Sequence, residues 1–262
     1  MLRYDVNLSI LFTELPLLER PAAAAEAGFD AVEFWWPFAS PTPSDAEVDE
    51  FVAAIQNAGV RLVGLNFFAG DLPAGDRGVL SIPDRSASFR ANIPVTIDIA
   101  SRLGCRALNA LYGNRVDGVD PSEQDTLAAE NLALAAAAFD GVILLEPISG
   151  APHYPLRTAA DVLAIIDRVG AGNLRLLADL YHLTVNGDDL DAVIAEHTGR
   201  IGHVQIADAP GRHEPGTGSL DLDAHLQKLA ANGYTGHVGL EYQPSGASVD
   251  SFGWLHSDKE TA

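Results

Sequence analysis

Leu174-Arg175-Leu176-Leu177-Ala178-Asp179 is a short apolar run that ends on a carboxylate, and the pattern occurs three more times. Upstream stands Val142-Ile143-Leu144-Leu145-Glu146-Pro147. Downstream stand Gly202-His203-Val204-Gln205-Ile206 and Val238-Gly239-Leu240-Glu241-Tyr242. Short, branched apolar runs of this kind suit strands buried on both faces of a parallel sheet. A carboxylate or amide at the carboxyl end of such a strand has no packing reason to be there. The four polar residues are successively 33, 26 and 36 positions apart, a pattern that suggests side chains converging on one divalent cation.

Outward from these runs, a repeat spans the chain: helix, glycine, a few polar residues, then a short apolar run. It recurs at Ala27-Gly28, Ala58-Gly59, Leu103-Gly104, Gly170-Ala171-Gly172, Thr198-Gly199 and Asn232-Gly233. Glycine just past a helix supplies the left-handed residue that ends it. The apolar runs predict eight strands, over 4–10, 31–35, 61–66, 106–111, 141–146, 174–179, 201–206 and 237–242. Ser44-x-x-Glu47 is a capping box opening a helix over 45–58, and Thr158-x-x-Asp161 resembles one opening 159–169. An alanine-rich stretch over 122–139 has strong helix propensity. Alternating strands and helices imply parallel strands joined by right-handed crossovers. Eight units of about 33 residues match a single-domain (β/α)8 TIM barrel over residues 1–262 better than an open doubly wound sheet. No Gly-x-Gly-x-x-Gly turn follows the first strand, which counts against dinucleotide binding.

The active site of a parallel barrel lies at the carboxyl ends of its strands. Glu146, Asp179, Gln205 and Glu241 fall there, on four neighbouring strands. Three carboxylates brought together repel one another unless protonated or bridged by a cation. Hard oxygen donors favour Mg2+ or Mn2+, ahead of Co2+ or Zn2+. The alternative is that one or two of them only pair with a barrel arginine. His182, three residues beyond Asp179, is a candidate hydrogen-bond donor to substrate or else a capping histidine. His203 lies two residues before Gln205, on the same side of its strand but deeper, which suits a supporting or core role. Arg212, in the Gly/Pro-rich segment 208–218, is a candidate anion anchor because its planar fork matches a carboxylate; an exposed loop arginine is the competing reading. Arg77 is a second candidate, in a connection of about twenty residues between Asn66 and a helix starting near Ser86. The glycines of that connection suit a folded lid over the barrel mouth. Glu33 ends the second strand before Phe34-Trp35-Trp36-Pro37, aromatics that either wall a pocket or pack as core.

The chain of 262 residues carries a net charge of −20, with Lys228 and Lys259 its two lysines. Such a surface repels a phosphate backbone, so nucleic acid is not an expected partner. Hydrophobic content of 47% with 20% charged residues is that of a folded globular protein. The single Cys105 excludes an intrachain disulfide and a cysteine-rich zinc site. No apolar run approaches the ~18 residues that span a bilayer, and the amino-terminal residues show no signal-peptide pattern. A cytoplasmic protein with no membrane association is therefore expected. Exposed loop aromatics such as Trp254 would permit a homo-oligomer.

Several motifs together resemble the hydroxypyruvate isomerase family of the xylose-isomerase-like barrels. They are Asn7-Leu-Ser-Ile-Leu-Phe12, Gly28-Phe-x-x-Val-Glu33-Phe34, Ala69-Gly70-Asp71…Gly75-Asp76-Arg77-Gly78, Gly202-His-Val-Gln205-Ile-Ala-Asp208, Arg212-x-Glu214-Pro-Gly216-Thr-Gly218 and Gly239-Leu-Glu241-Tyr242. The resemblance runs from residue 1 to about 255. It implies a metal at Glu146, Asp179, Gln205 and Glu241, with Glu146 and Glu241 also acting as acid and base on a small anionic 2-oxo acid. The implied reaction interconverts hydroxypyruvate and tartronate semialdehyde through a cis-enediolate. Related ketose 3-epimerases usually place His where Gln205 stands. Some family members carry Lys where this chain has Gln243, and their third-strand loop differs from Asn66-Phe67-Phe68, so substrate choice is the open part. Rival readings are a 2-oxo-tetronate isomerase or ketose 3-epimerase on the same scaffold, an endonuclease-type phosphodiesterase, and a non-enzymatic sugar-acid-binding barrel. The phosphodiesterase needs a multi-zinc His/Glu cluster and a basic face, which the charge opposes.

Overall fold

The structure is a computed structural model that describes residues 2–257. Met1 and residues 258–262, Lys259 among them, lie outside the described residues, so the barrel expected over 1–262 is described for 2–257. Its first half contains β1 (Arg3–Asn7), α1 (Arg20–Glu26), β2 (Ala31–Phe34), α2 (Asp45–Ala58), β3 (Arg61–Asn66), α3 (Ser86–Leu103), β4 (Ala107–Asn109) and α4 (Pro121–Ala138). Then come β5 (Val142–Leu145), α5 (Ala159–Val169), β6 (Leu174–Asp179), α6 (Leu180–Asn186), α7 (Leu190–His197), β7 (Ile201–Ile206), α8 (Leu222–Ala231), β8 (His237–Leu240) and α9 (Trp254–Ser257). The strands pair in parallel in chain order, and β1 closes on β8. All eight predicted strands are present, and the fold is the (β/α)8 barrel.

Local chemistry explains the boundaries. Ser44 and Glu47 form the reciprocal capping box at α2, and Thr158 and Asp161 do so at α5. Each satisfies two amide groups that the first turn leaves without partners. Asp120 caps α4 by accepting from Ser122 N (2.8 Å), with Pro121 at the first helical position. Gly59, Gly104 and Gly170 end α2, α3 and α5 with φ of +72°, +67° and +70°. Gly199 departs from this pattern: it sits in a tight turn over Thr198–Arg200 with no left-handed φ, because α7 runs straight into that turn. The β6–β7 crossover also divides into two short helices, with Gly187 (φ +93°) between them.

The larger hydrophobic core lies between the strands and the surrounding helices, and Ala107, Leu144 and Leu177 form a small separate cluster. Side chains alternate along a strand, so Ala107, Leu144 and Leu177 share a side with Asn109, Glu146 and Asp179 two residues on. Below the mouth the barrel interior is polar, with Asp5, Glu33 and His203 all buried. Trp254 is half-buried and meets Tyr4 edge-to-face at 5.4 Å, rather than standing out as a loop aromatic. Among the described residues, no helix is long and apolar enough to cross a membrane.

Candidate active site

Each of the eight strands delivers a polar residue within one position of its carboxyl end: Asn7, Glu33, Asn66, Asn109, Glu146, Asp179, Gln205 and Glu241. All eight are buried, none more than 7% exposed. Strand register pairs Asn7 with Glu33, Asn66 with Asn109, and Asp179 with Gln205. Glu33 faces Gly64 and Gln205 faces Gly239, each two residues short of the next polar side chain, so the ring is stepped. The four residues singled out in the sequence are thus half of a polar ring at one mouth.

Within the ring the side chains hold one another. Asn7 Nδ2 donates to Glu33 Oε1 (3.0 Å) and Glu241 Oε2 (2.9 Å). Gln205 Nε2 donates to the same two oxygens, at 2.7 and 2.5 Å. Arg212 Nη2 donates to Glu241 Oε1 at 2.5 Å and lies 3.8 Å from Asp179 Oδ2. The Trp35 side chain also hydrogen-bonds Glu241. Asn109 Nδ2 donates to Glu146 Oε2 (2.9 Å). Asp179 serves two purposes: its Oδ1 caps α6 by accepting from Tyr181 N (2.8 Å) and His182 N (3.2 Å), while Oδ2 is left for the site.

Burial, then the charges of Glu241 and Asp179, hold the Glu146 carboxyl well above the ordinary carboxylate range. Burial likewise pushes Glu241 up to about 8, although the Arg212 cation opposes the rise. Desolvation takes His182 down to about 4, so it is a neutral imidazole. Ser149 N donates to His182 Nδ1 (3.1 Å), which places the ring proton on Nε2. That N–H faces Asp179 Oδ2 at 3.6 Å and Glu146 Oε1 at 3.9 Å. Arg212 adopts a left-handed backbone (φ +59°), rare for a residue with a side chain, and its guanidinium lies 5.6 Å from the Tyr181 ring. Burial disfavours its charge, but Glu241 and Asp179 outweigh that and raise its pKa.

A cavity of about 340 Å3 opens over this ring, lined among others by Trp35, Arg77, Glu146, His182, Arg212 and Glu241. The long β3–α3 connection supplies Leu72, Pro73 and Arg77 to its wall. It is a folded cover. Asp76 N donates to Asp71 O (3.0 Å), the Asp76 carboxylate accepts from Asp71 N (2.7 Å) and from Arg85 (2.6 Å), and Arg77 Nη1 donates to Leu72 O (3.0 Å). Gly78 (φ +100°) leaves no room for a Cβ against the Leu111 carbonyl. Across the mouth, Asp208 ties segment 208–220 together by accepting from Gly216 N (2.8 Å) and Leu220 N (3.1 Å).

His182, Arg212 and Arg77, read from the sequence as substrate contacts, all line the cavity, Arg77 with one nitrogen already engaged by its own loop. Of Asn66-Phe67-Phe68, Asn66 lines it, while Phe67 is buried against Phe89. Gln243 lines a neighbouring hollow together with Arg212. His203 sits deeper, on Glu33 (2.7 Å). Asn7, Asn109 and Ser149 were not singled out for the site in the sequence. An amide ending a buried strand was the available signal for the first two.

The donor set fits a hard divalent cation. Asp179 Oδ2 and Gln205 Oε1 are buried oxygens that accept no hydrogen bond. Together with Glu146 they offer oxygens of the kind Mg2+ or Mn2+ takes, while both Glu241 oxygens accept from Arg212, Asn7 and Gln205. Atoms of Glu146, Asp179 and His182 lie within 4.8 Å of one another, but the proton on His182 Nε2 suits that group to donating rather than ligating.

A (β/α)8 barrel with a covered, acidic, buried mouth defines the class, and sequence comparison places the chain within it. The chain belongs to the xylose isomerase-like TIM barrel family, which matches residues 21–257, and within it to the hydroxypyruvate isomerase branch. A Streptomyces coelicolor protein named "Putative hydroxypyruvate isomerase" is 58% identical, over 99% of this chain and 98% of its own length. Escherichia coli "Hydroxypyruvate isomerase" is 34% identical (97% and 98%), and Pectobacterium atrosepticum "2-oxo-tetronate isomerase" 32% (97% of each). A solved structure titled AP endonuclease, family 2, from Brucella melitensis superposes with a TM-score of 0.90 at 34% identity, covering 98% of this chain and 99% of that one. The chain is accordingly an enzyme of the isomerase class.

Proposed function

We propose that the protein is a metal-dependent isomerase interconverting hydroxypyruvate and tartronate semialdehyde, with Glu146 and Glu241 as its acid–base pair. The observation that carries this is the position of those two carboxyls. Both are buried, both line one small cavity, and burial raises the pKa of each above the ordinary carboxylate range, as suits a group that both takes and gives a proton. Glu146, Asp179, Gln205 and Glu241 would hold the metal, which when bound supplies Lewis-acid stabilisation of negative charge on the substrate oxygens.

One glutamate removes a proton from C3 of hydroxypyruvate, and the electron pair moves into a C2–C3 double bond and onto the C2 oxygen. The other glutamate delivers a proton to C2 of the cis-enediolate. The C3 hydroxyl proton passes to the C2 oxygen, so that C3 becomes the aldehyde and the C2 oxygen the hydroxyl. Arg212 supplies a fixed cation for the substrate carboxylate, and His182 Nε2–H a neutral donor beside it. Trp35, Leu72 and Pro73 wall the cavity and keep water from the enediolate.

Isomerisation of hydroxypyruvate, measured before and after metal stripping and again after Mn2+ or Mg2+ is restored, tests the proposal. Activity is expected to disappear and return, with solvent deuterium entering the product. A metal-loaded protein inactive on hydroxypyruvate but active on a four-carbon 2-oxo acid would replace the substrate. That second reading is favoured by the relative named 2-oxo-tetronate isomerase and by a cavity larger than three carbons need. Product formed with no deuterium at all would replace proton transfer by a hydride shift.

A further inference from the structure

Glu33 is the acidic member of the ring that neither lines the cavity nor belongs to the proposed ligand set, yet three side chains hydrogen-bond to it. It accepts from Asn7 and Gln205 on Oε1 and from His203 on Oε2. Two glycines make room for the carboxylate. A Cβ on Gly239 would stand 2.7 Å from Glu33 Oε1, and one on Gly64 would stand 3.0 Å from Oε2. A side chain at Gly239 would force a shift of Glu33 and press on Gln205, and one at Gly64 would press on Glu33 alone.

An amide side chain presents a donor end and an acceptor end of nearly equal shape, so its orientation is set by its neighbours. Gln205 has carboxyl oxygens of Glu33 and Glu241 on one side; its NH2 end donates to both, and its Oε1 is turned away, buried and without a donor. We propose that Glu33 is a positioning residue that fixes the orientation of Gln205, so that the amide oxygen rather than the NH2 group faces the cation. The inference rests on the metal reading above. Glu241 is shared with Arg212 and belongs to the proposed ligand set itself, whereas Glu33 lies outside that set, is held by His203 at 2.7 Å and is flanked by Gly64 and Gly239.

Mn2+ affinity of the metal-stripped protein, read by titration calorimetry without substrate, tests this. Glu33→Gln keeps the shape but offers Gln205 a group that can donate as well as accept. It is expected to weaken Mn2+ binding by about 10- to 100-fold. In a Gln205→Ala background the same change should cost far less, since residues acting through one contact are non-additive. Gly64→Ala presses on Glu33 alone among the nearest atoms and should weaken binding in the same direction. It carries the same cycle if Glu33→Gln fails to fold, which thermal unfolding reports. Undiminished affinity in the folded variants, or an equal loss with and without the Gln205 side chain, would overturn the proposal alone. A wild-type protein that takes up no Mn2+ would overturn the metal reading and this proposal together.

Discussion

Asp5 is the least accommodated residue in the barrel: fully buried, with neither carboxyl oxygen in a hydrogen bond. Burial, followed by the charge of Glu33, raises its pKa well above the ordinary carboxylate value. The folded protein therefore keeps a proton that the unfolded chain gives up above about pH 3.9. Stability falls as pH rises from there until Asp5 itself ionises in the fold. Asp5→Asn removes this linkage and should raise stability at neutral pH by about 1–3 kcal/mol, with the gap narrowing toward pH 4. Denaturant unfolding of both proteins across that range checks it, and parallel profiles would reject it. At this scale the sequence revealed what stands out by charge. Glu146, Asp179 and Glu241 interrupt apolar runs, and Gln205 follows their spacing. Asn7, Asn66 and Asn109 have no charge to mark them, and Trp35 reads equally well as core. Gly64 and Gly239 are silent in the sequence, because the group that requires them to be small belongs to another strand.

Helix boundaries were legible because caps are local chemistry. A serine or threonine and an acid three residues on satisfy each other whatever the barrel does around them. The cover formed by the β3–α3 connection was legible from its length and glycines, but its fastening was not. The Asp76–Arg85 ion pair and the packing of Gly78 against Leu111 depend on how the connection folds and on β4. Gly78 is required twice over, by its positive φ and by the neighbouring carbonyl. Gly78→Ala should displace the cover, raise KM for the 2-oxo acid at least several-fold and cost about 1–3 kcal/mol of stability. Steady-state kinetics beside a thermal melt measure both. Unchanged KM would show that the cover contributes nothing to substrate retention.

The whole molecule carries −20 charges while the proposed substrate is an anion. Arg212 and Arg77 attract it only at close range, so long-range repulsion opposes the approach. Raising ionic strength from about 0.01 M to about 0.15 M shortens the screening length from about 30 Å to about 8 Å. The value of kcat/KM should therefore rise, by up to about tenfold. A fall would mean that the arginines govern encounter as well as docking. Eight repeats predicted a closed barrel, and closure is what the strand order shows. Repeat counting could not reveal how widely the mouth draws on the chain.

Asn7 bonds to Glu241 across 234 positions, and β1 finds its second neighbour only in β8. During synthesis, therefore, the first strand must wait for β8 to leave the ribosome before it is paired on both sides. Until then a partial sheet presents two raw edges, and Asn7, Gln205 and Arg212 lack the Glu241 carboxyl to which all three donate. Pairings of such sequence separation are slow to form. Assembly of the catalytic mouth and completion of the fold are thus a single late event, and a nascent chain halted before β8 would have neither.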